Sequence, residues 1–343
     1  MSPWPDNQLN EPLDASLATE AFKARVASGL AAHPALAETP LMPESLTLSV
    51  DALKTFGKCP KKYELQTLKR MRWPSDTRNF TVGRQVHKWL DYQAYPSLKS
   101  DLQSSGLFNT LSPDAKRGVL ALAQYAPATS WPVLASEWGF NLKLTPDFDA
   151  APSQAPVQAL QAQDLTAMDS VFIRGRIDRL ALMPLAARKL REASQDTTQN
   201  ETQGVTNGVA IIDWKTGTAI PKSPETDWQT LVYALAVYQA RAALGLPDLR
   251  PEAIRFLYVG IPVRAGAYAA PLQEVWVHFD TQKLARAHAL VWAQVERIVA
   301  ATRLQQFALP QRCPDKWCAL RPVCGIEAQE FNASEQTAPE QRD

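Results

Sequence analysis

An acid and a base two residues apart, Asp213 and Lys215, close an apolar stretch and could do chemistry together. The stretch is Gly208-Val-Ala-Ile-Ile-Asp213-Trp214-Lys215-Thr216-Gly217, a β-branched run that ends in an acid, a bulky residue, a base and a turn. Side chains alternate between the faces of a strand, so Asp213 and Lys215 share a face. At the polar end of an apolar strand such a pair can hold a metal ion and a water together; a solvated ion pair is the plainer reading. A second acid stands in Val171-Phe-Ile-Arg-Gly-Arg-Ile-Asp178-Arg-Leu-Ala-Leu, another strand pattern. The polar residues 186–207 can join the two strands as a hairpin, and antiparallel pairing would let Asp178 and Asp213 converge. Two carboxylates around one oxygen-seeking cation suit Mg²⁺ or Mn²⁺.

Other residues could join them. In a helix read over 80–95, Gly83, His87 and Leu90 share a face. A histidine there is ordinarily structural or solvated, but a glycine four residues before it lets a neighbour approach the helix closely. Gln229 and Tyr233 lie four apart on the Ala- and Leu-rich helix expected over 227–245, whose Gly245 reads as a C-cap. Glu137 sits in a strand pattern over 133–144 and is a candidate acid or a solvated carboxylate. Four cysteines divide one and three: Cys59, then Cys313, Cys318 and Cys324. Four thiolates can hold a 4Fe–4S cluster, Zn²⁺ accepts the same count, and buried free thiols are the third option.

In order and spacing, Gly83-Arg-Gln-Val-His87, Gly175-Arg-Ile-Asp178, Asp213-Trp-Lys215-Thr-Gly and Gln229-Thr-Leu-Val-Tyr233 resemble the motifs of the PD-(D/E)XK nuclease superfamily. The likeness is to its RecB/AddB-type branch, which includes the CRISPR-adaptation exonucleases, and it covers roughly residues 46–327. Phe56-Gly-Lys-Cys59-Pro60-Lys-Lys-Tyr63 is similar to the opening of that branch's iron–sulfur members. The final cysteines depart from the branch: its C-x2-C-x5-C is here C-x4-C-x5-C.

The resemblance implies a metal-dependent DNA nuclease, an exonuclease on single-stranded ends in repair, recombination or defence. It implies His87, Asp178 and Asp213 as Mg²⁺ or Mn²⁺ ligands, with the Trp214 carbonyl a further contact and Glu137 joining directly or through water. Asp178, Asp213, Lys215 and Glu137 would be the catalytic set, Lys215 positioning or deprotonating the water. Gln229 and Tyr233 would hold the DNA backbone, and Arg174, Arg176 and Arg179 would meet phosphates. Cys59, Cys313, Cys318 and Cys324 would hold a 4Fe–4S cluster, with zinc as the alternative. The sequence has no G-x-x-x-x-G-K-[ST], so a motor would come from a separate helicase, and an integrase is another possible partner. The competing reading is a catalytically silent nucleic-acid-binding scaffold with a structural cysteine metal site.

The elements that must position these residues form an α/β fold of restriction-endonuclease type: a mixed central β-sheet flanked by helices, with the Asp178 and Asp213 strands at its catalytic edge. The cysteines would staple the two ends of the domain. Expected boundaries are an N-terminal tail and short helix over 1–45, a nuclease domain over 46–327 and a disordered tail over 328–343. The domain would carry a helical insert over about 96–131, broken at Pro113 and ending near Pro127, and mobile loops at 145–168 and 186–207. A helix is expected from Asp51 to Leu68, kinked or restarted at Pro60, and another over 281–304 in which His288 has no special part. Strands are expected at 253–262 and 274–279, with His278 on the solvent side. A net charge of +1 over 343 residues excludes a broad basic field, so nucleic acid would meet a local patch. No apolar run approaches a membrane span, and Met1-Ser-Pro-Trp-Pro-Asp-Asn7 does not read as a signal peptide; a cytoplasmic protein is expected.

Overall fold

Among the described residues, apolar stretches, nearly continuous in β4 and β5, build six strands: β1 Ser45–Ser49, β2 Val133–Leu144, β3 Ser170–Pro184, β4 Asn207–Thr216, β5 Ile254–Ile261 and β6 Gln273–His278. The computed structural model describes residues 45–71, 78–94, 106–123, 125–145, 148, 170–184, 207–216, 220–263, 272–310, 313, 318 and 320–324. The expected tails, most of the two long loops and residues 95–105 lie outside the described residues. The strands form one mixed sheet in the order β1-β3-β4-β5-β6, with β2 also paired to β3.

Strand β3 is the spine of this sheet. Its Phe172 pairs with both Thr47 of β1 and Lys143 of β2, and its Arg179 with both Ser136 of β2 and Ile212 of β4. A strand has two edges, so β2 takes one edge whole while β1 and β4 share the other. β1 runs parallel to β3 and stops opposite Arg174; β4 runs antiparallel and leaves β3 after Ile212. The two therefore meet head-on, and residues 175–178 of β3 face the gap between them. Beyond Ile212, β4 continues alone against β5, its parallel neighbour, with Asp213 opposite Tyr258.

The helices are α1 Val50–Lys58, α2 Pro60–Tyr63, α3 Arg78–Gln93, α4 Gly106–Thr110, α5 Pro113–Leu122, α6 Ala126–Thr129, α7 Trp228–Gln239, α8 Thr281–Leu304 and α9 Arg321–Cys324. Some expectations hold and others are corrected. Residues 45–49, outside the expected elements, are a strand, and Ser49 caps α1, its Oγ accepting from Ala52 N at 3.0 Å. The helix expected over 51–68 restarts at Pro60 as expected: Cys59, with an extended backbone (φ −157°, ψ 102°), caps α2, and the segment ends in a π turn over Glu64–Leu68. The helical stretch does break at Pro113: α4 ends at Thr110 and Pro113 begins α5, because the first helical position needs no N–H donor. α7 stops at Gln239 and gives way to turns that reach Gly245 at φ 74°.

The chain forms two compact units. One comprises Glu44–Lys58 and Pro74–Gln306 and contains the sheet. In its core, Ala210, Ile212 and Trp214 of β4 and Leu257, Val259 and Ile261 of β5 pack with Val86, Trp89 and Leu90 of α3 and Val119 of α5. Each such large side chain contributes about 1.5–3 kcal/mol by leaving water. The alternate residues of β4, Asp213 and Lys215, turn to α7 instead. Of the described residues, the second unit comprises 59–71, 307–310, 313, 318 and 320–324. There Tyr63 is buried, its ring 6.2 Å from that of Phe307. Among the described residues no helix is long and apolar enough to cross a membrane.

Candidate active site

The gap between β1 and β4 opens into a cleft of about 900 Å³, lined by Gly83, Arg84, His87 and Lys88 of α3, Glu137 of β2, Arg174, Gly175, Arg176 and Asp178 of β3 and Gln229 and Tyr233 of α7. Strand departure creates it. Once β4 leaves β3, the Trp214 N–H has no ladder partner, and it donates to Asp178 Oδ2 at 2.9 Å. The Trp214 carbonyl lies 3.0 Å from His87 Nε2. The reason for Gly83 is now visible: a Cβ there would stand 3.2 Å from Thr216 Oγ1. The missing side chain lets the end of β4 lie against α3, one turn from His87.

His87 Nδ1 lies 3.4 Å from Asp178 Oδ1 and 3.7 Å from Glu137 Oε1. One ligand atom from each of the three falls within 4.8 Å of the others. Burial works against a charged imidazole, yet Asp178, then Glu137, outweigh it and push its pKa up to about 10. Glu137 adopts φ 50°, a left-handed backbone in mid-strand that a side chain makes costly. Its other carboxylate oxygen is 2.9 Å from Arg176 Nε. An imidazole nitrogen and two carboxylates, with a carbonyl beside them, form a donor set for a hard divalent cation.

Asp213 is 2% exposed and belongs to a second, adjoining network. Its Oδ2 is 2.7 Å from Lys215 Nζ, and its Oδ1 accepts from Gln229 Nε2 at 3.1 Å. Lys215 Nζ also donates to Gln229 Oε1 at 3.0 Å. Burial, then the nearby Asp178 charge, push the Asp213 pKa up to about 6 against the pull of Lys215 and Lys54. The Tyr233 hydroxyl donates to the Arg176 carbonyl at 2.8 Å, inside the gap. Asp178 thus faces His87 while Asp213 faces Lys215.

A profile of the PD-(D/E)XK nuclease superfamily matches residues 47–189 and 196–325, most of the chain. The chain belongs to the PD-(D/E)XK nuclease superfamily. No curated protein matches it significantly. Among solved structures it is similar to a "Putative exonuclease" from Eubacterium rectale, at 14% identity and a TM-score of 0.40, over 87% of this chain and 90% of that one. Membership implies a nucleic-acid substrate, and enzymes of this superfamily typically use a divalent metal.

Placed on the nuclease fold, the motif residues His87, Asp178, Asp213, Lys215, Gln229 and Tyr233 come together, as does Glu137. Arg174 and Arg176 are exposed and line the cleft. Arg179 does not: it is fully buried, donating to the carbonyls of Leu90 and Ala128 and lying 5.6 Å over the Trp214 ring. It closes the carbonyl ends of two helices instead of meeting phosphate. Strand alternation marks this, since residues 174, 176 and 178 share a face that residue 179 cannot. His288 is also no idle helix residue: it is buried, its Nε2 2.9 Å from the Thr145 carbonyl and its ring stacked on Phe148 at 5.1 Å. Lys54 was missed altogether; it reaches Gln229 Oε1 at 2.6 Å, and a lone lysine on α1 carries no sequence signal of that.

In the second unit none of the four cysteines is joined in a disulfide. Cys59 Sγ accepts from Lys62 N at 3.3 Å. Burial first, and the nearby Cys318 and Cys313, raise its pKa.

Proposed function

We propose that this chain is a Mg²⁺- or Mn²⁺-dependent deoxyribonuclease that digests single-stranded DNA from its ends. The observation that carries the reading is the meeting, at one gap in the sheet, of His87, Glu137 and Asp178 with the Asp213–Lys215 pair. His87, Asp178, Asp213 and the Trp214 carbonyl would hold the metal, with Glu137 beside them. When bound, the ion lowers the pKa of a water and screens the phosphate.

The chain's own groups supply the rest. Lys215 orients the attacking water and neutralises charge that grows on the phosphoryl oxygens as water oxygen bonds to phosphorus and the leaving oxygen departs. Asp213 holds the ammonium group of Lys215. Gln229 and Tyr233 border the scissile phosphate, while Arg174 and Arg176 contact flanking phosphates. Such contacts carry no base information, so cleavage should be nearly independent of sequence.

By its motifs the protein falls in the RecB/AddB-type branch, its nuclease domain spans 46–327, and Cys59, Cys313, Cys318 and Cys324 hold a 4Fe–4S cluster. The closeness of Cys313 and Cys318 to Cys59 supports that reading. Reduced thiols fit a cytoplasmic protein, and a separate helicase or integrase would deliver its DNA. The test is digestion of linear and circular single-stranded DNA with Mn²⁺, by the wild type and by Asp213→Ala. Loss of linear DNA alone, abolished in the variant with DNA binding kept, is expected. Equal cutting of the circle would replace the exonuclease by an endonuclease, and DNA binding without any cleavage would replace the enzyme by a scaffold.

A further inference from the structure

Gln229 is the hub of the network behind Asp213, and its amide can sit two ways. Ammonium groups only donate and carboxylates only accept. Oε1 therefore faces Lys54 Nζ at 2.6 Å and Lys215 Nζ at 3.0 Å, and Nε2 faces Asp213 Oδ1 at 3.1 Å. A flipped amide would set NH₂ against two cations and an oxygen against a carboxylate. Lys54 also reaches the helix that carries Gln229. Its Nζ is 3.2 Å from Asp227 Oδ1, and that same oxygen caps α7 by accepting from Gln229 N at 2.9 Å and accepts from the Tyr258 hydroxyl at 3.0 Å. The Lys54 side chain is 22% exposed and does not line the cleft.

We infer that Lys54 is a positioning residue of this site: it locks the orientation of the Gln229 amide and, through it, the Asp213–Lys215 pair. The inference rests on reading the site as a nuclease centre. Lys54 lies outside the cleft lining, so its effect is expected on the rate of the chemical step and not on substrate binding.

A double-mutant cycle tests this. Rates and KM for a linear single-stranded oligonucleotide with Mn²⁺ are measured for wild type, Lys54→Met, Gln229→Leu and the double variant. A hydrogen bond to a charged group corresponds to about tenfold or more in rate. Lys54→Met is expected to lower kcat by that factor with KM within about twofold, and to slow the Gln229→Leu enzyme no further. An unchanged kcat, a loss confined to KM, or two losses that multiply would overturn the inference. If Lys54→Met does not fold, Lys54→Gln, which keeps a donor without the charge, runs the same cycle. If wild type itself fails to cleave, the proposed function falls, and a crystal structure of the variant decides the positioning claim. A Gln229 amide turned away from Asp213 supports it, and an unmoved one refutes it.

Discussion

Asp178 and Asp213 look interchangeable as acids, yet their neighbours give them different work. Asp178 is tied to the Trp214 amide and faces His87, while Asp213 is buried against Lys215 and Gln229. The Lys215 ammonium is therefore placed by Asp213 before any substrate arrives. Lys215→Met is expected to cut single-turnover cleavage by about a hundredfold or more while gel-shift affinity for DNA changes little. A variant that cleaves at the wild-type rate would take Lys215 out of the chemistry. Glu137 offers a different test, because its backbone is held at φ 50°. Glu137→Gly and Glu137→Ala both remove the carboxylate, but only glycine is at ease in that conformation. The glycine variant should be the more stable of the two by about 1 kcal/mol in chemical denaturation. If the alanine variant is as stable, the strain is not there. These residues were legible to different degrees. The motif acids, His87 and Lys215 announce themselves by spacing. Lys54 and the turn at Glu137 do not, because contacts across the fold create them.

Among the elements, β3 does most to make the site, since it carries Asp178 and its free stretch over 175–178 is the floor of the gap. That floor depends on Gly175: a Cβ there would meet Phe140 Cζ at 2.3 Å and Cε1 at 2.6 Å. Phe140 in turn stands edge-on to Tyr233, with ring centroids 5.5 Å apart. Gly175→Ala must push that ring toward Tyr233, and overpacking of this kind costs about 1–3 kcal/mol. Lower thermal stability and slower cleavage are expected together, both partly restored by adding Phe140→Leu, which vacates the space. An undisturbed Gly175→Ala enzyme would show that the floor can shift freely. The pattern of β2 to β6 could be read from alternation or apolar runs, and α8 from its apolar period. β1 could not: five residues carry too little pattern, and what makes them a strand is β3, more than a hundred residues away. Arg179 was misread for the complementary reason. Its charge suggested phosphate, whereas its place in the alternation put it under α3 and α6, where two helix-end carbonyls take the guanidinium.

At the scale of the molecule, the chain leaves the sheet-bearing unit at Lys58, returns at Pro74 and leaves again after Gln306. Every residue assigned to the nuclease site belongs to that unit, and all four cysteines belong to the other. Two metal centres of different character would therefore be held by separate parts of one chain: oxygen and nitrogen donors in one, thiolates in the other. Protein purified anaerobically should be brown, with iron and sulfide in near-equal amounts, and Cys318→Ser should lose both along with part of its thermal stability. The Mn²⁺ concentration for half-maximal cleavage should be unchanged in whatever Cys318→Ser protein remains folded, because no thiolate enters the nuclease donor set. A colourless wild type containing zinc would replace the cluster and leave the nuclease reading standing. A brown wild type whose Mn²⁺ requirement moves with Cys318→Ser would mean that the cysteine centre acts on the nuclease site and does more than hold the chain ends.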